Sequence, residues 1–175
     1  MIKLIQTLIS GLSLGSIYAL IALGYTMVYG IAKMLNFAHG DIIMIGAYAG
    51  IVTVTQLGLP PVIAIVLSVA VCALLGMTIE HFAYKPLRQA PALSVLITAI
   101  GVSYLLQNLA LLIFGSQQKA YPTLVSLPEL RLGPVTVSGI TLLTLATTAL
   151  IMVGLTLFIN RTKLGKAMRA VSEDK

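Results

Sequence analysis

The sequence predicts an all-α, polytopic transmembrane bundle of about five spans, and three observations carry that expectation. Apolar residues make up 58% of the 175-residue chain and charged residues only 9%. The charges crowd into a few short segments. Several windows of about 20 residues hold no charge at all, the length that crosses a ~30 Å hydrocarbon layer. A β-barrel would show short segments alternating apolar and polar residues, and these runs do not alternate. The net charge of +6 has no separate basic domain to carry it, so it fits membrane topology and not nucleic-acid binding. Cys72 is the only cysteine, which leaves neither an intrachain disulfide nor a cysteine-based metal cluster. The run after Lys3 is too long for a signal peptide and lacks a small-residue cleavage pattern, so it reads as a retained span.

Spans are expected at about residues 5–31, 38–57, 60–82, 93–114 and 139–159. The chain then reads as one transmembrane domain over 1–175, with an extracytoplasmic loop at 115–138 and a cytoplasmic amphipathic segment at 160–175. Span one is longer than the bilayer needs, so it must tilt or emerge. On it, Gly11, Gly15, Tyr18, Ala22, Tyr25 and Tyr29 follow steps of four and three and share one side of a helix. Gly11 and Gly15 form the small-xxx-small pattern through which helices approach closely in lipid, and Ala19 extends it. The tyrosines suit packing or the interfacial aromatic belt, and alternatively a solute path.

Asn36, His39 and Asp41 crowd the opening of span two. Asn36 is the expected N-cap, with Asp41 placed to favour the positive helix end. The rival reading puts the three at the border of a broken helix or cavity, since polar groups at membrane depth persist only where protein or water satisfies them. Gly46 and Gly50 repeat the close-packing spacing. Span three opens at Pro60 and Pro61, where a first helical turn tolerates proline, and closes near Glu80, which can snorkel to Lys85 or Arg88. Span four is the most polar: Thr98, Gly101, Tyr104 and Asn108 share a face, and Ser103 with Gln107 a neighbouring one. Such a stripe either bonds to other helices or faces a route for solute.

The loop from Gly115 to Ser138 is too polar and proline-rich to span. Leu130 and Leu132, Gly133-Pro134, then Val135 and Val137 suggest a short hairpin outside the membrane. After span five, Leu164, Ala167, Met168 and Val171 form one apolar stripe, with Lys163, Lys166 and Arg169 away from it. That segment suits an anionic lipid surface or a contact with another protein. Lys85, Arg88 and the cations after span five lie on one side, against Lys3, Lys119 and Arg131 on the other. The enrichment of Lys and Arg in cytoplasmic loops then places the N-terminus outside and the C-terminus inside.

GLSLGSIYALIALGYTMVYGI, followed by MLNFAHGDIIMIGAY, resembles the N-terminal region of the permease subunits of branched-chain amino-acid ABC transporters. TAIGVSYLLQNLALLIFG and TKLGKAMRAVSEDK are similar to the fourth-span and cytoplasmic segments of that family. The resemblance implies an integral subunit of an ATP-driven importer of leucine, isoleucine and valine in a bacterial or archaeal cytoplasmic membrane. It implies as partners a second, related or identical permease, two cytoplasmic ATPase subunits and an extracytoplasmic substrate-binding protein. No G-x-x-x-x-G-K-[ST] phosphate loop occurs here, because Gly165-Lys166 is followed by alanine. ATP and its Mg are therefore expected on partner subunits, with no catalytic residue, metal or cofactor on this chain. Family members continue well beyond the position of Lys175, so the chain is expected to be a fragment or a truncated gene product.

Alternating access is the expected mechanism, with Tyr18, Asn36, His39, Thr98, Tyr104 and Asn108 near the route. Leu164, Lys166, Met168 and Arg169 are the expected ATPase contact. The competing readings are a urea or short-chain amide importer of the same family, a passive channel, and a membrane scaffold that moves no solute.

Overall fold

A computed structural model of the chain describes residues 2–32, 35–122, 127–132 and 135–173. The order of elements is α1 (Ile2–Ala32), α2 (His39–Thr55), α3 (Pro61–Ile79), a π turn (Glu80–Tyr84), a 3₁₀ turn (Lys85–Leu87), α4 (Ala92–Phe114), β1 (Leu130–Leu132), β2 (Val135–Val137), α5 (Gly139–Arg161) and α6 (Lys163–Glu173). Among the described residues, four helical stretches are long and apolar enough to cross a membrane: Lys3–Gly30, Pro61–Leu87, Ala92–Phe114 and Gly139–Arg161. The expected second span is a shorter apolar helix of 17 residues.

Prolines and glycines punctuate these helices for identifiable reasons. Pro61 occupies the first turn of α3 behind an extended Pro60, and an extended Pro91 precedes α4. Proline lacks the N–H that a first turn leaves unused, so it costs nothing there. The α2–α3 turn passes through Gly58 at φ +61°, and α4 stops at Gly115 with φ +80°. Residues with a Cβ rarely adopt such backbone, so glycine fixes both stops. Within the helices, the hydroxyls of Thr26, Thr53, Thr55, Thr78, Thr144 and Thr156 donate to carbonyls four residues back. Apolar helices can thereby carry hydroxyls without leaving them unbonded in lipid.

The chain divides into two compact units, 1–33 with 125–175, and 34–124. In the first unit α1 packs with α5 and α6. The Ser138 hydroxyl caps α5 by accepting the Ile140 N–H at 3.3 Å, and Thr162 Oγ1 accepts the Gly165 N–H at 3.0 Å as α6 begins. A Cβ on Gly165 would collide with the backbone of Ile159, so the α5–α6 corner requires glycine. β1 and β2 pair antiparallel, Leu130 opposite Val137 and Leu132 opposite Val135. The Gly133-Pro134 turn expected between them lies outside the described residues, as do the flanking charge Lys33 and the terminal Lys175.

In the second unit α2 and α3 form the closest pair. A Cβ at Gly46 would strike the Cys72 sulfur, and one at Gly50 would strike the Tyr121 hydroxyl and lie 3.1 Å from Ser68 Oγ. These glycines bring the backbones together as their spacing predicts. The core joins Ala38, Ile79, Tyr84, Ala99 and Leu106, with Ile42, Leu75, Ala83 and Val102 packed against it. Further along, the Tyr48 ring stacks on Phe114 at 4.1 Å, and Lys119 Nζ lies 5.7 Å from the Phe114 centroid. Both contacts fall within the ranges where stacking and cation–π attraction operate.

Candidate functional site: the start of α2 against α4 and the π turn

Two hydrogen-bonded groups hold the opening of α2, and both use side chains that are expensive to bury unless bonded. The first centres on Asn36. Its Oδ1 accepts the Ala38 N–H at 3.1 Å and the Tyr84 O–H at 2.9 Å, while its carbonyl accepts the His39 N–H at 3.2 Å. Tyr84 is buried and reaches Asn36 from the π turn, a local unwinding in which each turn takes in an extra residue. At the far side of the turn, Arg88 pairs with Glu80 at 2.5 Å between exposed side chains, the snorkelling partnership expected for Glu80. Exposed ion pairs contribute little stability, so the structural weight of this turn rests on Tyr84.

The expectation that Asn36 caps α2 is corrected here. The capping position is Ala38, whose backbone is already αR and whose side chain accepts nothing. Asn36 instead makes a turn two residues upstream, because its short carboxamide bonds its own following backbone as readily as a helix end.

The second group centres on Asp41, in the first turn of α2 and 8% exposed. Ser103 Oγ donates to Asp41 Oδ2 at 2.5 Å, and Gln107 Nε2 donates to Asp41 Oδ1 at 3.1 Å. Gln107 Nε2 also lies 3.1 Å from Ser103 Oγ, closing a triangle between α2 and α4. Asp41 sits in the first turn of α2 and takes two neutral side-chain donors from α4, so the burial of its carboxyl group is compensated from both helices. Ser103 and Gln107, four residues apart, share a helix face, which lets both reach one carboxyl group.

The other expected site residues are distributed differently. His39 and Thr98 are half-buried. Tyr104 is 62% exposed, and Asn108 is exposed with its Nδ2 turned back to the Tyr104 carbonyl at 2.7 Å. Span four therefore uses its two polar edges in opposite ways: Ser103 and Gln107 bond to α2, whereas Tyr104 and Asn108 face outward. Tyr18 belongs to the other unit and is 63% exposed on α1, on the same side as the exposed Gly11 and Gly15. On α6, Leu164, Lys166 and Arg169 are exposed and Met168 is half-buried. Tyr84 was not among the expected residues, and Asp41, Ser103 and Gln107, noted for their position and spacing, were left off the expected route. The available signal was an ionisable residue inside an apolar segment together with a serine and glutamine at helical spacing. Among the described residues, no group of three or more His, Cys, Asp or Glu side chains is placed to hold a metal.

Residues 7–175 match the family model described as branched-chain amino acid transport system / permease component. The chain is 46% identical to the high-affinity branched-chain amino acid transport system permease protein BraD of Pseudomonas aeruginosa, over 97% of this chain and 59% of that protein. It is 36% identical to the corresponding permease protein LivH of Escherichia coli K12, over the same shares of the two chains. A probable branched-chain amino acid transport permease protein LivH of Methanocaldococcus jannaschii is 27% identical, over 91% of this chain and 52% of its own length. No solved structure gives a significant match.

Proposed function

Because the chain belongs to the branched-chain amino acid transport permease family, matched over residues 7–175, we propose that it works as a membrane subunit of an ATP-driven importer of leucine, isoleucine and valine. The chain spans 59% of the length of the BraD and LivH proteins named above, so its part in the pathway is that of the matching region. The family match is the observation that carries this reading, and the four membrane-length apolar helices agree with it.

The importer operates by alternating access in a bacterial or archaeal inner membrane. The N-terminus faces outward, with Lys85, Arg88 and the cations of α6 on the cytoplasmic side. A related or identical permease subunit completes the pathway, two ATPase subunits bind and hydrolyse ATP with Mg, and an external binding protein delivers the amino acid. Leu164, Lys166, Met168 and Arg169 form the ATPase contact; the helix there offers apolar and basic edges together. The solute passes Tyr18, Asn36, His39, Thr98, Tyr104 and Asn108. Polar groups on this route hold the ammonium and carboxylate, and apolar surface accepts the branched side chain.

The test is uptake in proteoliposomes containing the full-length permease with its ATPases and binding protein. ATP-dependent accumulation of labelled leucine, with labelled urea and acetamide excluded, is the expected result. Accumulation of urea or the amide in place of leucine would assign the other substrate class. Flux without ATPases would make the chain a channel, and absence of any flux from an assembled complex would leave a scaffold. Alanine at each of the six route positions is expected to lower uptake several-fold while the ATPases still co-purify, and unchanged uptake in all six rejects the route.

A further inference from the structure

The depth at which α2 begins does not match that of its neighbours. Ser103 and Gln107 lie 11 and 15 residues beyond Ala92, the first residue of α4. At 1.5 Å per residue, that puts them roughly 16 and 22 Å along a helix that must cross a ~30 Å layer. Asp41 bonds to both, although it stands only two residues after His39, the first residue of α2. From the other side, Cys72 Sγ reaches the Ile42 carbonyl at 3.4 Å, and Cys72 lies well inside the continuous stretch Pro61–Leu87. At the opposite end, Tyr48 stacks on Phe114, the last residue of α4. So α2 runs alongside α4 displaced by about half its neighbour's length, and its first turn is level with the middles of α3 and α4.

We propose that α2 is a half-depth helix whose polar start, Asn36 to Asp41, lies inside the membrane next to a water-reachable crevice, held there by the Asp41–Ser103–Gln107 latch. Non-helical backbone and an ionisable side chain persist at such depth only where protein or water satisfies them. Protein satisfies Asp41 and Asn36 here, whereas Gly40 is exposed and a Cβ built on it meets nothing within 4 Å. Asp41 is thus a positioning residue: it sets the height and rotation of α2 against α4, and with them which polar edge of α4 is left to face outward. That last role rests on the transport reading; the depth and the latch do not.

The experiment uses the full-length permease with its partner subunits in liposomes, in a Cys72→Ala background, with spin labels on Gly40→Cys, Gly101→Cys, Leu105→Cys and Gln89→Cys. Relaxation by oxygen and by a water-soluble nickel chelate gives depth and water access. The Gly40 label is expected at the depth of Gly101, far from Gln89, with chelate access at least about fivefold above the Leu105 label at similar depth. A Gly40 label at the depth of Gln89 overturns the half-depth helix, and one at mid-depth without chelate access overturns the crevice. Asp41→Ala is expected to raise Gly40 reactivity toward an impermeant thiol reagent about five- to tenfold, in line with losing two interhelical bonds in a membrane. It should also lower leucine moved per ATP hydrolysed, with ATPase co-purification unchanged, and Asp41→Asn should restore part of both. Unchanged reactivity in Asp41→Ala overturns the latch, as does an effect confined to the amount of assembled complex. If Asp41→Ala does not assemble, Ser103→Ala and Gln107→Ala are read by the same two measures. A protein that moves no leucine yet gives the expected depths would refute the transport reading alone.

Discussion

Two glycine pairs, Gly11 with Gly15 on α1 and Gly46 with Gly50 on α2, carry the same four-residue spacing and meet different fates. At Gly46 and Gly50 an added methyl group would run into Cys72, Ser68 or Tyr121, whereas at Gly11 and Gly15 it would meet nothing within 4 Å. Each unit shows this by its own contacts. The difference lies in what stands opposite the glycine: α3 offers small polar side chains, Cys72 and Ser68, that nest against the bare backbone of α2. The outward side of α1 carries Tyr18, 63% exposed, and Tyr29, 45% exposed. Spacing thus states that a helix is able to approach closely; only the partner's residues state that it does.

The sharpest way to break the comparison is Gly46→Ala. The new methyl overlaps the Cys72 sulfur, which is itself held by its bond to Ile42, so α2 and α3 must separate. Overpacking of this kind costs about 1–3 kcal/mol. The expected outcome is a clearly lowered thermal unfolding midpoint for the detergent-purified chain, largely recovered in Gly46→Ala with Cys72→Ala. If removing the sulfur brings no recovery, the collision at Cys72 is not what makes Gly46 necessary.

Gly50→Ala should cost less, about 1 kcal/mol, because part of the obstruction is the end of a flexible tyrosine. Tyr121 is half exposed and swings aside more easily than helix-borne Cys72. Tyr121→Phe in the Gly50→Ala background is expected to raise the midpoint, while Tyr121→Phe alone shifts it little. Tyr84→Phe probes the same unit at its other end by deleting one buried hydroxyl bond to Asn36. The expected loss is about 1 kcal/mol, the usual net worth of such a bond. An Asn36→Ala, Tyr84→Phe double variant no worse than Asn36→Ala would show that the two residues act through that bond.

The membrane class and the helix positions were legible because each rests on local composition: long apolar runs and prolines at first turns. The stop at Gly115 was equally readable from residue type. The π turn was not, since nothing in EHFAY distinguishes it from another helical turn until Tyr84 is seen bonded to Asn36. Asp41 was half legible. Its placement near a positive helix end was readable, but its bonds to Ser103 and Gln107 span more than 60 residues and depend on how far α2 is shifted along α4. Periodicity separated the two polar edges of α4 correctly and could not say which one faces a helix, for it records angle around an axis and not height along a neighbour.

The smallest expected effect closes the comparison. Gly15→Ala on α1 adds a methyl group where nothing stands within 4 Å, so the chain alone should change by less than about 0.5 kcal/mol. Helix propensity favours alanine over glycine, which sets the sign as neutral to slightly stabilising. Gly15→Leu extends the same test with a large side chain at an exposed position. Both are to be measured as thermal midpoints beside Gly46→Ala under identical detergent conditions. A fall comparable to that of Gly46→Ala would mean that α1 packs through its glycines after all, and the contrast between the two pairs would fail. A midpoint that holds in the isolated chain, while Gly15→Leu reduces co-purification with a second permease subunit, would instead place the close approach of α1 between subunits.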